Sequence, residues 1–201
     1  MPEPLQQGEI DAISADADRF ISELDEESYL HFAGHKETYE LAPIYERHER
    51  LTQLDTALAL GASVDGDNRR RELWKFACAG YLGNLVSEEA ERVAELEATL
   101  TATVDGEEIP FRMLKPRLMN EEDRDLRARI EAARNELSEE HLNPLELQAA
   151  EIGQHETQRL GAANYADLYR SFGFPLDDLA EQCRRLLADT EDLWAETGDR
   201  F

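Results

Sequence analysis

Lysine is nearly absent from this chain. Three lysines (Lys36, Lys75 and Lys115) stand among 21 basic residues, and 45 acidic residues leave a net charge of −24. Such a surface repels phosphate backbones, so nucleic acid is excluded as an expected partner. An anionic membrane would repel it equally. Two explanations fit arginine in place of lysine: a salt-rich cytoplasm, where heavy charge keeps a protein soluble, or a GC-rich genome encoding arginine. Cysteine is also scarce. Cys78 and Cys183 cannot build a disulfide framework, and their apolar neighbours predict two buried free thiols. No apolar run reaches transmembrane length, and "MPEPLQQGEIDAI" is unlike a signal peptide, whose start is basic. The cytoplasm is the expected location. A Gly-x-Ser-x-Gly elbow, a phosphate loop and a dinucleotide fingerprint are all missing, which removes the commonest signatures of hydrolases and nucleotide enzymes.

What remains is helical periodicity. Ile10, Ile13, Ala17, Phe20, Ile21 and Leu24 form one stripe over residues 9–24, and residues 26–34 continue it until Gly34 interrupts. Pro43 suits the first turn of a new helix, and Ile44, Leu51, Leu54 and Leu58 keep helical spacing as far as Gly61. "ELWKFACAGYLGNLV" (72–86) is apolar nearly all round, which predicts a helix in the middle of a bundle, with Gly80 and Gly83 admitting a close neighbour. Ser87 is a candidate cap for the helix 88–100. The period then changes: β-branched residues flank Asp105-Gly106, which predicts one hairpin near 101–111 with Pro110 at an edge. Asn120 is the expected cap of a helix with a Leu126–Ile130–Ala133–Leu137 seam. Asp123–Arg127 and Asp125–Arg129 have the spacing of helical ion pairs. Helices are expected from Pro144 to Leu160, over 164–171, and over 176–196, the last carrying Leu179, Cys183, Leu186, Leu187, Leu193 and Trp194. The fold class is therefore all-α: a single domain, an array of about seven to eight helices with one small hairpin.

The chemistry-bearing residues do not form a recognisable constellation. His155-Glu156 begins like the zinc motif H-E-x-x-H, but the fifth position is Arg159, and a guanidinium cannot ligate a metal. Glu156 falls within the apolar face defined by Leu145, Ala149, Ile152 and Leu160, so a buried hydrogen bond between helices is its expected role. His31 and His35 are four apart, with Glu37 and Glu40 nearby. Gly34 lies between them and no third ligand has a suitable spacing, so they are expected to be partly exposed surface histidines. His48 and His141 have no suggestive company in the sequence. No catalytic residue, cofactor site or metal ligand is assigned. Trp74, Phe76 and Tyr81 are expected in the core, and the Glu-rich stretch 88–97 is expected to be a solvated helix face.

Three stretches nevertheless point to a family. "QRLGAANYADLY" (158–169), with its Leu160-Gly161 pair and Asn164-Tyr165-Ala166 start, is similar to a stretch of the zinc oligopeptidases of the thimet oligopeptidase and oligoendopeptidase F group. "LMNEEDRDLRARIEAA" (118–133) resembles their helix that opens on Asp-Arg with a second Arg a turn later, here Asp123, Arg124 and Arg127. "TVDGEEIPF" resembles the turn preceding that helix, and the order of the three is the family's order. Ala162 departs from the aromatic residue often found there. The resemblance spans roughly residues 10–196 and implies the N-terminal, non-catalytic helical half of such a peptidase, the half that walls one side of a substrate channel. Zinc, its ligands and peptide hydrolysis would belong to a C-terminal catalytic domain or a partner chain, because the family's zinc helix lies beyond Phe201. This chain alone is expected to be inactive. A stand-alone acidic helical interaction domain and a degenerate peptidase homologue are the alternatives.

Overall fold

The structure, a computed structural model, describes residues 3–198. It opens on α1 (Gln7–Phe32), where the Glu9 carboxylate accepts from the Gln6 backbone N–H at 3.0 Å. Of the stripe read from the sequence, Ile10, Ile13, Ala17 and Phe20 are buried and form its packing face, whereas Ile21 is exposed. Next come α2 (Ala42–Arg47), with Pro43 in its first turn, and α3 (Leu54–Ala62). The continuous helix expected up to Gly61 is thus broken over residues 48–53. Leu51 and Thr52, each 1% exposed, turn into the core there. Gly80 makes room for Thr52, since a Cβ at Gly80 would lie 3.3 Å from the threonine methyl. Gly83 likewise makes room for the Tyr45 hydroxyl. Both glycines sit on α4 (Asn68–Leu85), the central helix, whose first turn is capped by the Asp67 carboxylate accepting from the backbone N–H groups of Arg69 and Arg70 at 2.7 and 3.2 Å.

From α5 (Ser87–Thr99) the chain enters the expected hairpin. β1 (Thr101–Val104) and β2 (Glu107–Pro110) are antiparallel, with Thr101 opposite Pro110 and Val104 opposite Glu107. Asp105 and Gly106 take φ of 52° and 85°, the left-handed pair that a two-residue turn matched to strand twist requires. Ala102, Val104 and Ile109 point inward. A helix that the sequence pattern did not suggest follows at once: α6 (Phe111–Asn120), with Pro116 inside it. Asn120 therefore closes a helix instead of opening one, its side-chain amide donating to the Pro116 carbonyl at 2.7 Å. The cap of α7 (Arg124–Leu137) is Asp123, which accepts from the N–H groups of Asp125 and Leu126 at 2.8 and 3.2 Å. These bonds hold the Asp123 carboxyl below its ordinary range. Two of the spacings expected to form helical ion pairs are used otherwise: Arg127 donates to the carbonyls of Glu121 and Glu122, and Arg129 to the Asp105 carboxylate at 2.7 Å.

A single π-turn over Ser138–Leu142 leads into α8 (Asn143–Glu156). That helix stops before the expected Leu160, and residues 157–161 form a turn closed by Gly161 at φ 86°. Asn164 caps α9 (Tyr165–Ser171), its side-chain oxygen accepting from the Asp167 N–H at 2.9 Å. Among the described residues the array ends with α10 (Leu176–Gly198), and none of its residues is buried. Cys78 is buried but Cys183, on α10, is exposed, which corrects the expectation of two buried thiols. Apolar neighbours along one helix do not bury a residue unless another element packs on that face.

Buried side chains fall into two clusters. One gathers Phe20, Leu51, Leu60, Tyr81, Leu168 and Phe172 from α1, α3, α4, α9 and the 48–53 turn. The other gathers Val104, Ile109, Phe111, Leu114, Ile130 and Leu142 from the hairpin, α6, α7 and the π-turn. α5 packs on α8 and on α6, and α8 also meets α4, so these two helices join the clusters. Among the described residues no helix is long and apolar enough to cross a membrane.

Candidate functional site

The His-Glu pair sits at the end of α8. Glu156 makes the interhelical bond expected of it: the Tyr81 hydroxyl of α4 donates to its carboxylate. Arg159 donates to the same oxygen from the following turn at 3.2 Å, and His155 lies 3.1 Å from the other oxygen with its own ring exposed. The Tyr81 bond first, then His155 and Arg159, hold the Glu156 carboxyl below the usual carboxylate range. Burial and that same bond push the Tyr81 hydroxyl up to about 12. Both Glu156 oxygens are thus engaged in this α4–α8 clasp, one by Tyr81 and Arg159 and the other by His155.

The clasp gives a pH-dependent stability with a definite sign. An unfolded tyrosine loses its proton near pH 10, while folded Tyr81 keeps it to about 12. The contribution is thus fully present below about pH 10 and is lost as pH rises toward 12, because only the unfolded state releases the proton. Cys78, pushed up to about 12 by burial, adds a similar alkaline loss. Chemical denaturation from pH 8 to 11.5 is expected to show a steeper alkaline decline for the native chain than for Tyr81→Phe, which retains Cys78. Parallel curves would contradict the assignment to Tyr81.

The other histidines also depart from the sequence reading. His31 was expected on the surface but is 1% exposed. A guanidinium nitrogen of Arg112, on α6, is 2.7 Å from its Nε2, and Tyr39 and Phe32 pack on the ring. His35 is exposed beyond the end of α1, so the two do not share a ligand-bearing face. Glu37 and Glu40 do not join them: Glu40 pairs with Lys36, whose ammonium also binds Glu27 at 2.7 Å. His48, without company in the sequence, lies buried between the carboxylates of Asp16 (3.0 Å) and Glu23 (3.2 Å) of α1. Arg47 and then His48 hold the Glu23 carboxyl below its ordinary range. His141, near the end of the π-turn, is 3.9 Å from the Glu140 carboxylate. Among the described residues no group of three or more His, Cys, Asp or Glu side chains is placed to hold a metal ion.

A concavity that combines apolar walls with carboxylates is one the sequence did not reveal. It lies between α5, α8 and the chain after α1, with a volume of about 420 Å³. Its apolar surface comes from Phe32, Tyr39, Val86, Val93, Leu145 and Ala149, and Glu89, Glu97 and Glu146 line the same groove. Gln148 donates to Glu89 at 2.8 Å. Among the described residues no Lys or Arg forms an ion pair with Glu97 or Glu146. Apolar walls with two uncompensated carboxylates suit a ligand combining an apolar side chain with a cationic group. The Glu-rich stretch 88–97 thus contributes to this groove through Glu89 and Glu97 as well as facing solvent. The signal available in the sequence was weak: Val86, Val93 and Glu97 share one face of α5, but the opposing residues lie some fifty positions away on α8.

No protein-family model matches this chain, and no curated protein and no solved structure matches it at significance.

Proposed function

We propose that this chain is the non-catalytic helical part of a zinc oligopeptidase related to thimet oligopeptidase and oligoendopeptidase F, and that its α5–α8 groove forms part of the wall along which peptides run. The observation that carries this reading is the groove itself, apolar yet lined by Glu89, Glu97 and Glu146. The stretches resembling the family support it locally through their caps and turn, while α8 ends at Glu156 and not at the Leu160-Gly161 pair. Asp123 caps α7, Gly161 closes the turn after α8 in a left-handed conformation, and Asn164 caps α9. The hairpin precedes them in the chain.

Zinc chemistry would have to come from elsewhere. The described residues do not fit the metal: no suitable set of ligands converges, and Glu156, the one motif-like carboxylate, is occupied by Tyr81 and Arg159. Polarising a peptide carbonyl and activating water would be the task of a metal-bearing part. The purified chain incubated with zinc and an internally quenched peptide is expected to give no turnover above the buffer control, and turnover would refute its non-catalytic role.

Binding is the direct test of the groove. By fluorescence anisotropy at low salt, a labelled peptide of alternating Leu and Arg is expected to bind saturably, and an acidic peptide of equal length is not. Glu97→Lys with Glu146→Lys should weaken the binding by about tenfold or more, since two attractive charges become repulsive. Equal binding of both peptides, or no effect of the double substitution, would remove the groove from the proposal. A second reading, a helical interaction module, is favoured by one observation: α10 presents an apolar face that nothing in the described chain covers.

A further inference from the structure

We infer that α10 is a self-association helix, pairing with the same helix of a second copy in a parallel coiled coil. The inference does not depend on the peptidase reading. Leu179, Leu186 and Leu193 recur every seven residues and are 54%, 63% and 64% exposed. Leu176, Cys183, Thr190 and Thr197 fall three or four positions between them, which completes the alternating 3–4 spacing of a coiled-coil seam. Ala180, Leu187 and Trp194 widen it on one side, with Leu187 at 69% and Trp194 at 77% exposure. A helix of 23 residues gives this seam about three heptads. Its exposed leucines and tryptophan offer on the order of 700 Å² of apolar surface per helix, close to what each partner of a stable interface buries.

The charges beside the seam select the orientation. On the side opposite Ala180, Leu187 and Trp194 the seam is bordered by Gln182, Asp189 and Glu196. In an antiparallel pair these borders face each other, and carboxylate meets carboxylate. In a parallel pair Gln182 faces Leu187 of the second copy and Asp189 faces Trp194, so no like charges oppose. The repulsion left is that between two chains of net charge −24. It acts over the solvent-screened distance and shrinks as salt is added, since the Debye length falls from about 10 Å at 0.1 M to about 3 Å at 1 M. Association should therefore tighten with salt, opposite to a contact made by ion pairs.

Parallel pairing also places Cys183 of one copy against Cys183 of the other across the seam, within the about 4.4–6.8 Å Cα separation that a disulfide spans. Cys78 is buried and offers no competing thiol. Sedimentation equilibrium from 0.1 to 2 M NaCl is expected to show a monomer–dimer equilibrium shifting toward dimer with salt. An added diazene oxidant such as diamide, which takes up the two electrons and two protons released by the paired thiols, should give a covalent dimer that Cys183→Ser abolishes. Leu186→Lys, at an exposed position, should leave the helical far-UV spectrum unchanged and raise the dissociation constant at least about tenfold. A monomer at every salt concentration would overturn the proposal, leaving another protein to cover the face. A dimer indifferent to Leu186→Lys would overturn the use of α10, and a dimer that oxidation fails to cross-link through Cys183 would overturn the parallel orientation.

Discussion

Replacing Arg112 with leucine is expected to lower the unfolding free energy by about 3 kcal/mol, the largest single effect anticipated here. Arg112 is a polar tie from α6 to α1 and α5. It donates from α6 to His31 Nε2 at 2.7 Å and to the Ala94 carbonyl of α5 at 3.2 Å, and its guanidinium lies 5.3 Å from the centre of the Phe32 ring. A guanidinium can only donate, so Nε2 accepts, and the ring proton of a neutral His31 sits on Nδ1. That atom is buried and without a hydrogen-bond partner among the described residues. Loss of Arg112 would leave both ring nitrogens unsatisfied in a residue 1% exposed. At this chain length the melting temperature should fall by roughly 6–12 °C in a calorimetric scan. His31→Phe removes the stranded polar atoms, so the double variant should be more stable than the two single losses summed, by about 1–3 kcal/mol. Strict additivity would mean that the pair is not the tie described.

His48→Ala is the second large effect, an expected loss of about 2–3 kcal/mol. The ring fills space beside Phe20, with centroids 5.3 Å apart, and its two nitrogens contact the carboxylates of Asp16 and Glu23. Meeting two acceptors at once requires N–H donation from both sides of the ring. Alanine would leave a cavity against α1 and two carboxylates facing it without their shared donor. Arg47 still binds Glu23, at 2.6 Å, which limits the damage. His48→Gln keeps part of the volume and one donor group, so it should recover about half of the lost stability in urea titrations. A loss below about 0.5 kcal/mol for His48→Ala would show that this histidine is not a clasp between α1 and the turn after α2.

Local patterns were legible, and they were the ones that rest on a few consecutive residues. The stripe from Ile10 to Phe20 became the buried face of α1, Asp105-Gly106 became the turn, and Asn164 became a cap because each effect acts within one or two turns of chain. The misreadings have a common form. The helical spacing from Ile44 to Leu58 gave no sign that Leu51 and Thr52 would leave the helix to pack against α4. Asn120 reads as the cap of the next helix, and nothing in the local pattern announces a helix before it. α6 forms nonetheless because Phe111 and Leu114 are buried against the second cluster, a tertiary gain that outweighs the proline.

The sequence by itself determined the helical class, the hairpin, the acidic exterior and the unsuitability of His155-Glu156 as a zinc motif, since composition, periodicity and the identity of position 159 are complete in the chain. Tertiary structure alone decided the partners of the titratable groups. Tyr81 reaches Glu156 across 75 positions, Arg112 reaches His31 across 81, and His48 reaches Asp16 across 32. Hydrogen bonds and burial act over a few ångströms in space, and no periodicity along the chain encodes which distant side chain will stand there. The same reason governs α10: its sequence specifies an apolar face, but only the packed arrangement shows that no described element covers it.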